Sequence, residues 1–402
     1  REVVVIGAGF IGLEMAEQLH RRGLQVTLVE LQDHVLPPLD KEMSMLVESE
    51  LRDNGIDLIL GDGIQGFENS NGQLACRLAS GKSCPADLVV LSIGVRPESD
   101  LAESAGLELG SRGHIKVNEY QQTSDPDIYA GGDAVETRDY LSDASVSVPL
   151  GGPANRQGRV AADHIFLGEK ARPYPGSLGT AIVRVFQVSA GLTGWSEQRL
   201  KAMDIPYAFT VVNENHHAGY FPGARPITLK VLWNQETGQL LGAQATGFDG
   251  VDKRLDILAT AITAKMTIEE LCHLELCYAP PFGSAKDIVN IAGFAGTNQM
   301  DGLVEPVYTL PDPAEAQIVD VRPKPLADSH PVPGTINIPF PTLRANLDKL
   351  DRTKPVVTLC AMGKTSYFAS RILALNGFPV KSYNGGIKAH IDPRTPAKLP
   401  SP

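Results

Sequence analysis

The stretch Glu2–Glu30, EVVVIGAGFIGLEMAEQLHRRGLQVTLVE, reads as strand, turn, helix and strand. Val3 to Ile6 form a continuous apolar run, Gly7-Ala8-Gly9-Phe10-Ile11-Gly12 follows, and apolar residues from Leu13 to Leu19 recur at helical spacing. In a dinucleotide-binding turn Gly7 permits the tight bend and Gly9 lets a pyrophosphate approach the backbone at a helix N-terminus. Gly12 lets helix and strand pack closely. The second strand, Gln25 to Val29, ends in Glu30, about 20 residues beyond the turn, where a carboxylate can hold a ribose 2′-hydroxyl. That carboxylate repels a 2′-phosphate, and Leu31-Gln32 supplies no base to offset it. NADH is therefore expected as cofactor, with NADPH left open.

Working outward, the 402 residues exceed one ordinary core and imply two to four domains. With 43% apolar and 21% charged residues the chain has a globular composition. No apolar run approaches the roughly 20 residues that span a bilayer, and the start lacks the order of a signal peptide. A cytoplasmic protein without membrane contact is expected. A net charge of -11 argues against a nucleic-acid partner, because phosphate neutralisation needs clustered Lys and Arg. Five cysteines, without a disulfide framework's spacing, are expected as thiols.

Further along, ADLVVLSIGVRPES (residues 86–99) is an apolar strand entering the turn Gly94-Val95-Arg96-Pro97. It resembles the edge of the nicotinamide domain in flavoprotein disulfide reductases. TSDPDIYAGGDAVE (residues 123–136) resembles the second flavin segment of the same family, with a strand Asp127–Ala130 running into Gly131-Gly132-Asp133. The resemblance implies that Asp133 bonds the ribityl chain of FAD, that Gly132 admits the cofactor to the backbone, and that GPANRQGR (residues 152–159) starts a helix facing the flavin. In that family the flavin domain is split by the nicotinamide domain. The Gly-rich turn at residue 7 is taken by the nicotinamide, so the resemblance implies a preceding segment with the other flavin half-site and the redox cysteine. This chain by itself is expected to bind flavin weakly or not at all.

From Thr180 the pattern changes to short β-type runs, TAIVRVFQVSAGLTGWSE and ITLKVLWNQETGQLLGAQATG, with two helical segments after Val251. This resembles the family's interface domain and implies a homodimer. HHAGYFPGA (residues 216–224) and CYAPPFGSAKDIVNIAGF (residues 277–294) resemble the coenzyme A disulfide reductase branch, which includes NADH oxidases and persulfide reductases. Tyr220 and Tyr278 would then lie near the partner subunit's redox cysteine. A phenol of pKa about 10 can donate a proton to a departing thiolate and stay neutral at pH 7. The plainer reading is a pair of interface tyrosines. His216 and His217 would point apart on a strand, so no metal site is expected. Cys272 and Cys277 are read as structural thiols, and Cys76 and Cys84 flank a Gly-Lys turn.

EPVYTLPDPAEA, beginning at Glu305, reads as a linker. Beyond it the strand Ile318-Val319 into Asp320-Val321-Arg322, the strand Val356–Leu359 and the loop CAMGKTS (residues 360–366) resemble a rhodanese domain. Cys360 closes a strand before a helix, where converging backbone N–H groups stabilise a persulfide or anionic sulfur. Lys364 would add positive charge beside it, while Thr365 stands where an arginine is common.

The fold class expected is α/β: Rossmann-like dinucleotide-binding domains, an α+β interface domain and a C-terminal rhodanese-like α/β domain. The expected bounds are 1–112 for NAD(H), 113–175 for the second FAD segment, 176–304 for the interface domain and 305–402 for the rhodanese-like domain. The activity implied is FAD-dependent, NADH-driven reduction of coenzyme A disulfide, persulfide or a related small sulfur carrier, coupled to sulfur transfer at Cys360. The rivals are an NADH oxidase or peroxidase, and a sulfurtransferase or binding module with a degenerate reductase part.

Overall fold

The computed structural model describes residues 1–70 and 73–395, grouped into two compact units: Arg1–Ser92 together with the chain from Ile182 onward, and Ile93–Ala181. The tail 396–402, expected within the rhodanese-like segment, lies outside the described residues.

The first unit begins with strand β1 (Glu2–Ile6), helix α1 (Phe10–Arg21), β2 (Gln25–Glu30), α2 (Lys41–Asp53) and β3 (Asp57–Leu60). An antiparallel meander, β4 (Ile64–Ser70), β5 (Gln73–Leu78) and β6 (Ser83–Ala86), leads into β7 (Leu88–Leu91). The parallel sheet runs β3-β2-β1-β7, with Val5 opposite Leu28 and Val90. Its central strand is buried on both faces, which is why Val3 to Ile6 read as an unbroken apolar run.

In the second unit, α3 (Asp100–Ser104) buries Ala102 against Ile115 and Val135. This packing groups residues 93–112, expected within a 1–112 domain, with the segment that follows them. The short strands β8 (Thr137–Arg138) and β9 (Ser145–Val146) pair, and α4 (Gly151–Leu167) follows. Residues 127–130, expected as a strand, form only an isolated bridge, Gln122 to Tyr129, because the turn at Pro126 folds the segment back on itself.

The first unit resumes within β10 (Ala181–Val185), followed by β11 (Val188–Gly194), α5 (Glu197–Ala202), β12 (Tyr207–Asn215), β13 (Pro226–Asn234) and β14 (Leu240–Gly247). Their sheet has the order β10-β11-β14-β13-β12 and packs against α6 (Val251–Thr263) and α7 (Ile288–Met300). The chain then forms β15 (Pro306–Val307), β16 (Gln317–Asp320), α8 (Lys324–Ser329), β17 (Thr335–Asn337), β18 (Val356–Leu359), α9 (Lys364–Leu375), β19 (Val380–Tyr383) and α10 (Gly386–His390). These make a parallel sheet, β15-β19-β18-β16-β17. The segment expected as a linker therefore supplies the edge strand β15.

Polar groups join these parts. Gln244 of β14 and Asp40 at the start of α2 exchange two hydrogen bonds of 2.7 and 2.6 Å. Lys230 of β13, fully buried, places its ammonium among Asp40 (2.8 Å), Glu197 (2.7 Å) and Glu42 and over the Phe209 ring. The three carboxylates together supply what burial of the ammonium removes.

Candidate active site

Around the Gly-rich turn, a Cβ on Gly12 would lie 1.8 Å from the Gly7 carbonyl oxygen, so only glycine allows α1 to approach β1 this closely. Gly9 faces open space. Gly7 takes a positive φ and donates its N–H to Val29 O at 2.8 Å. Glu30 is buried at the end of β2, and its carboxylate accepts hydrogen bonds from Ala8 N (2.6 Å) and Gln32 N (2.9 Å). It braces the turn as well as presenting an acidic edge, a second role not foreseen from spacing.

In the Ile93–Ala181 unit, Gly94 has φ 110° in an open turn. Gly131 and Gly132 pack on α4, where Gly132 N donates to Gln157 Oε1 at 2.7 Å. Asp133 follows on a single 3-10 turn and is exposed.

Tyr220 and Tyr278 lie 58 residues apart in sequence, yet their hydroxyls meet at 3.2 Å. Buried Arg254 of α6 pairs with Asp287 (2.6 Å), which caps α7, and also donates to His216 O (2.8 Å). Ala218 N donates to Gly283 O (3.0 Å), tying the two tyrosine loops together. The hydrogen bond to Tyr278 holds the Tyr220 phenol above its usual pKa, so it keeps its proton at neutral pH and is a hydrogen-bond donor there. Both rings are exposed, as is Phe282, four residues beyond Tyr278 in the chain. His216 and His217 do not point apart: the chain bends after Asn215, and their rings lie 4.1 Å apart.

Cys360 follows β18, and its sulfur is cradled at the start of α9. Gly363 N (3.1 Å) and Ser366 N (3.3 Å) donate to Sγ, with Ser366 Oγ at 3.4 Å. Gly385 and Gly386 form the opposite wall, and Ile387 N donates to the Cys360 carbonyl at 3.1 Å. Lys364, expected to lend its charge to the cysteine, instead pairs with Glu214 of β12 at 2.8 Å. A long side chain seeks the nearest partner carboxylate, and the docked sheet edge supplies one. Asn213, also missed by sequence reading, donates to Gly385 O (2.8 Å) and Met362 O (3.3 Å). Its one sequence signal is an amide directly following the run AFTVV (residues 208–212). A cavity of about 290 Å³ lies between β12, α7 and this loop, lined by Val211, Phe294, Met362 and Phe368 among others.

Comparison with known proteins divides the chain into three matched segments. Residues 1–157 match the pyridine nucleotide-disulphide oxidoreductases, 180–288 the dimerisation domain of that family, and 304–391 the rhodanese-like domain. The structure superposes on reduced CoADR-RHD from Bacillus anthracis with a TM-score of 0.93 at 44% identity, covering 97% of this chain and 70% of that one. The chain belongs to the pyridine nucleotide-disulfide oxidoreductases, in the coenzyme A disulfide and persulfide reductase branch with a C-terminal rhodanese domain. A NAD-dependent persulfide reductase from A. fulgidus gives a TM-score of 0.91 at 40% identity, covering 97% of this chain and 72% of that one. Coenzyme A disulfide reductase of Staphylococcus aureus (strain JH9) is 34% identical over 293 residues, 73% of this chain. The match spans 65% of that curated relative.

Family membership implies FAD and NAD(P)H. The residues present fit both: an open glycine backbone at Gly9 beside a buried acidic edge for the nicotinamide nucleotide, and a glycine ledge with the exposed Asp133 for the flavin. Among the described residues no helix is long and apolar enough to cross a membrane.

Proposed function

We propose that this chain is the greater part of a cytoplasmic, homodimeric, FAD-dependent NADH oxidoreductase that reduces coenzyme A disulfide, persulfide or a related small sulfur carrier, and that Cys360 transfers sulfane sulfur in the same protein. The carrying observation is the Cys360 sulfur held by two backbone N–H groups at a helix start, in a chain that also has a dinucleotide turn. When bound, NADH would supply the two reducing electrons and FAD would relay them. Gly7, Gly9, Gly12 and Glu30 hold and select the nicotinamide nucleotide, with Gly94 at the domain edge, and Gly132 and Asp133 hold the flavin. Tyr220 and Tyr278 protonate the departing thiolate of the reduced substrate, as a mutually bonded phenol pair can at neutral pH. The exposed Tyr220, Tyr278 and Phe282 support a dimer that covers them with a second copy. The cavity beside the Cys360 loop suits a small carrier's arm.

The test uses flavin-loaded enzyme. Cys360→Ser abolishes sulfur transfer from thiosulfate but leaves NADH-driven disulfide reduction, because serine lacks the polarisable nucleophile. Tyr220→Phe with Tyr278→Phe does the reverse. Loss of disulfide reduction in Cys360→Ser would place that cysteine in the reductive path and defeat the division of roles.

A further inference from the structure

We infer that Asn213, on the edge strand of the dimerisation sheet, is a positioning residue for sulfur transfer at Cys360, so that the reductase part of the chain completes the sulfur-binding loop. This rests on Cys360 being the sulfur-carrying nucleophile, as proposed above.

Edge strands present unpaired backbone groups, and here β12 is covered by the rhodanese loops. Val211 N donates to Asn384 Oδ1 at 2.6 Å, Asn384 Nδ2 donates to Thr210 Oγ1 at 3.0 Å, and Tyr308 OH donates to Phe209 O at 2.5 Å. Asn213 lies inside this contact and is 3% exposed. Thr228 Oγ1 donates to its Oδ1 at 2.7 Å, which fixes the amide so that its NH2 end faces the loop. That end holds the Met362 and Gly385 carbonyls. The Met362 carbonyl shares a peptide group with the Gly363 N–H that donates to Cys360 Sγ. Because a peptide is planar, fixing its oxygen aims its N–H, and donation to the oxygen strengthens the N–H as a donor. The Gly385 carbonyl belongs to the other wall, so one side chain ties both walls of the sulfur cradle.

In transfer from thiosulfate, the Cys360 sulfur bonds the outer sulfur, the S–S bond breaks and sulfite leaves with its electron pair. Cyanide then takes the outer sulfur as thiocyanate and the cysteine thiolate returns. Both steps carry anionic sulfur at the position the Gly363 N–H faces.

The experiment measures thiosulfate:cyanide transfer, and the pH dependence of Cys360 alkylation by iodoacetamide read by peptide mass spectrometry, on this chain with Asn213→Ala, Asn213→Asp or Thr228→Val. Asn213→Ala is expected to lower kcat roughly tenfold or more with the KM for thiosulfate within about twofold, and to move the alkylation midpoint to higher pH. Asn213→Asp falls further, since a carboxylate cannot donate and its charge opposes anionic sulfur. Thr228→Val, which leaves the amide present but unfixed, is intermediate. A folded Asn213→Ala with unchanged kcat, or with lowered kcat and an unmoved midpoint, overturns the inference. If Asn213→Ala does not fold, Thr228→Val decides, and wild-type kcat and midpoint in that variant overturn it. Transfer surviving in Cys360→Ser would instead sink the nucleophile reading, and is a separate observation.

Discussion

Lys230→Met removes the ammonium that Asp40, Glu42 and Glu197 share and leaves three carboxylates facing one another in the contact between the dinucleotide and dimerisation segments. Removing one partner of a buried ionic cluster costs about 3–5 kcal/mol. At roughly 2 °C per kcal/mol for a unit of this size, Tm at pH 7 is expected to fall by about 6–10 °C. The pH dependence follows from Glu197. Burial alone would raise its pKa, but Lys230, Lys201 and Tyr207 bring it down from 4.5 to about 2. A carboxylate depressed in the folded state contributes stability that is fully present above its unfolded value, here lost as pH falls from about 4.5 towards about 2. Without Lys230, the burial that opposes the charge on Glu197 is no longer offset by the ammonium, so its pKa rises and the folded variant takes up a proton there. The deficit against wild type is therefore largest at pH 7 and narrows by pH 4. Calorimetric melts of both proteins at pH 7, 5 and 4 measure it. A deficit under about 2 °C at pH 7, or one that stays constant to pH 4, would refute the reasoning.

Glu30→Gln keeps the side chain's size and one of the two acceptor oxygens that brace the turn but removes the charge, so the preference for NADH over NADPH in fluorescence titrations of this chain should narrow roughly tenfold, from like-charge repulsion relieved; a wild type that prefers NADPH would defeat the assignment. At Gly386 the backbone has φ 65°, and a Cβ would lie 2.6 Å from both the Cys360 carbonyl and Gly363 N. Gly386→Ala should therefore lower thiosulfate:cyanide transfer by about tenfold or more while leaving NADH affinity unchanged. Equal transfer rates would show that the second wall of the cradle is dispensable.

Legibility in the sequence followed how local the physics was. The strand, turn and helix at residues 2–21 and the close approach at Gly12 depend on neighbours within a dozen residues, and the spacing of glycines already encodes them. The 127–130 segment carries β-type residues but meets a single bridge, because pairing needs a partner strand that local pattern does not supply. The linker reading at Glu305 failed for the same reason. Proline and acidic residues mark a break, yet Pro306 and Val307 find a place on the edge beside β19.

The sequence by itself determined the parts: one dinucleotide turn with an acidic edge at Glu30, two loops each bearing a tyrosine, and a cysteine between a strand and a helix. Each is written in a contiguous run, where φ/ψ preference and apolar period act over a few residues. Only the tertiary structure decided what those parts face. It brings the Tyr220 and Tyr278 hydroxyls together, pairs Lys364 with Glu214 instead of with the cysteine, and sets Asn213 against both walls of the sulfur loop. These contacts join residues 58 to 172 positions apart. A polar side chain's partner at that range is fixed by how sheets and helices dock, and no local pattern of residues records it.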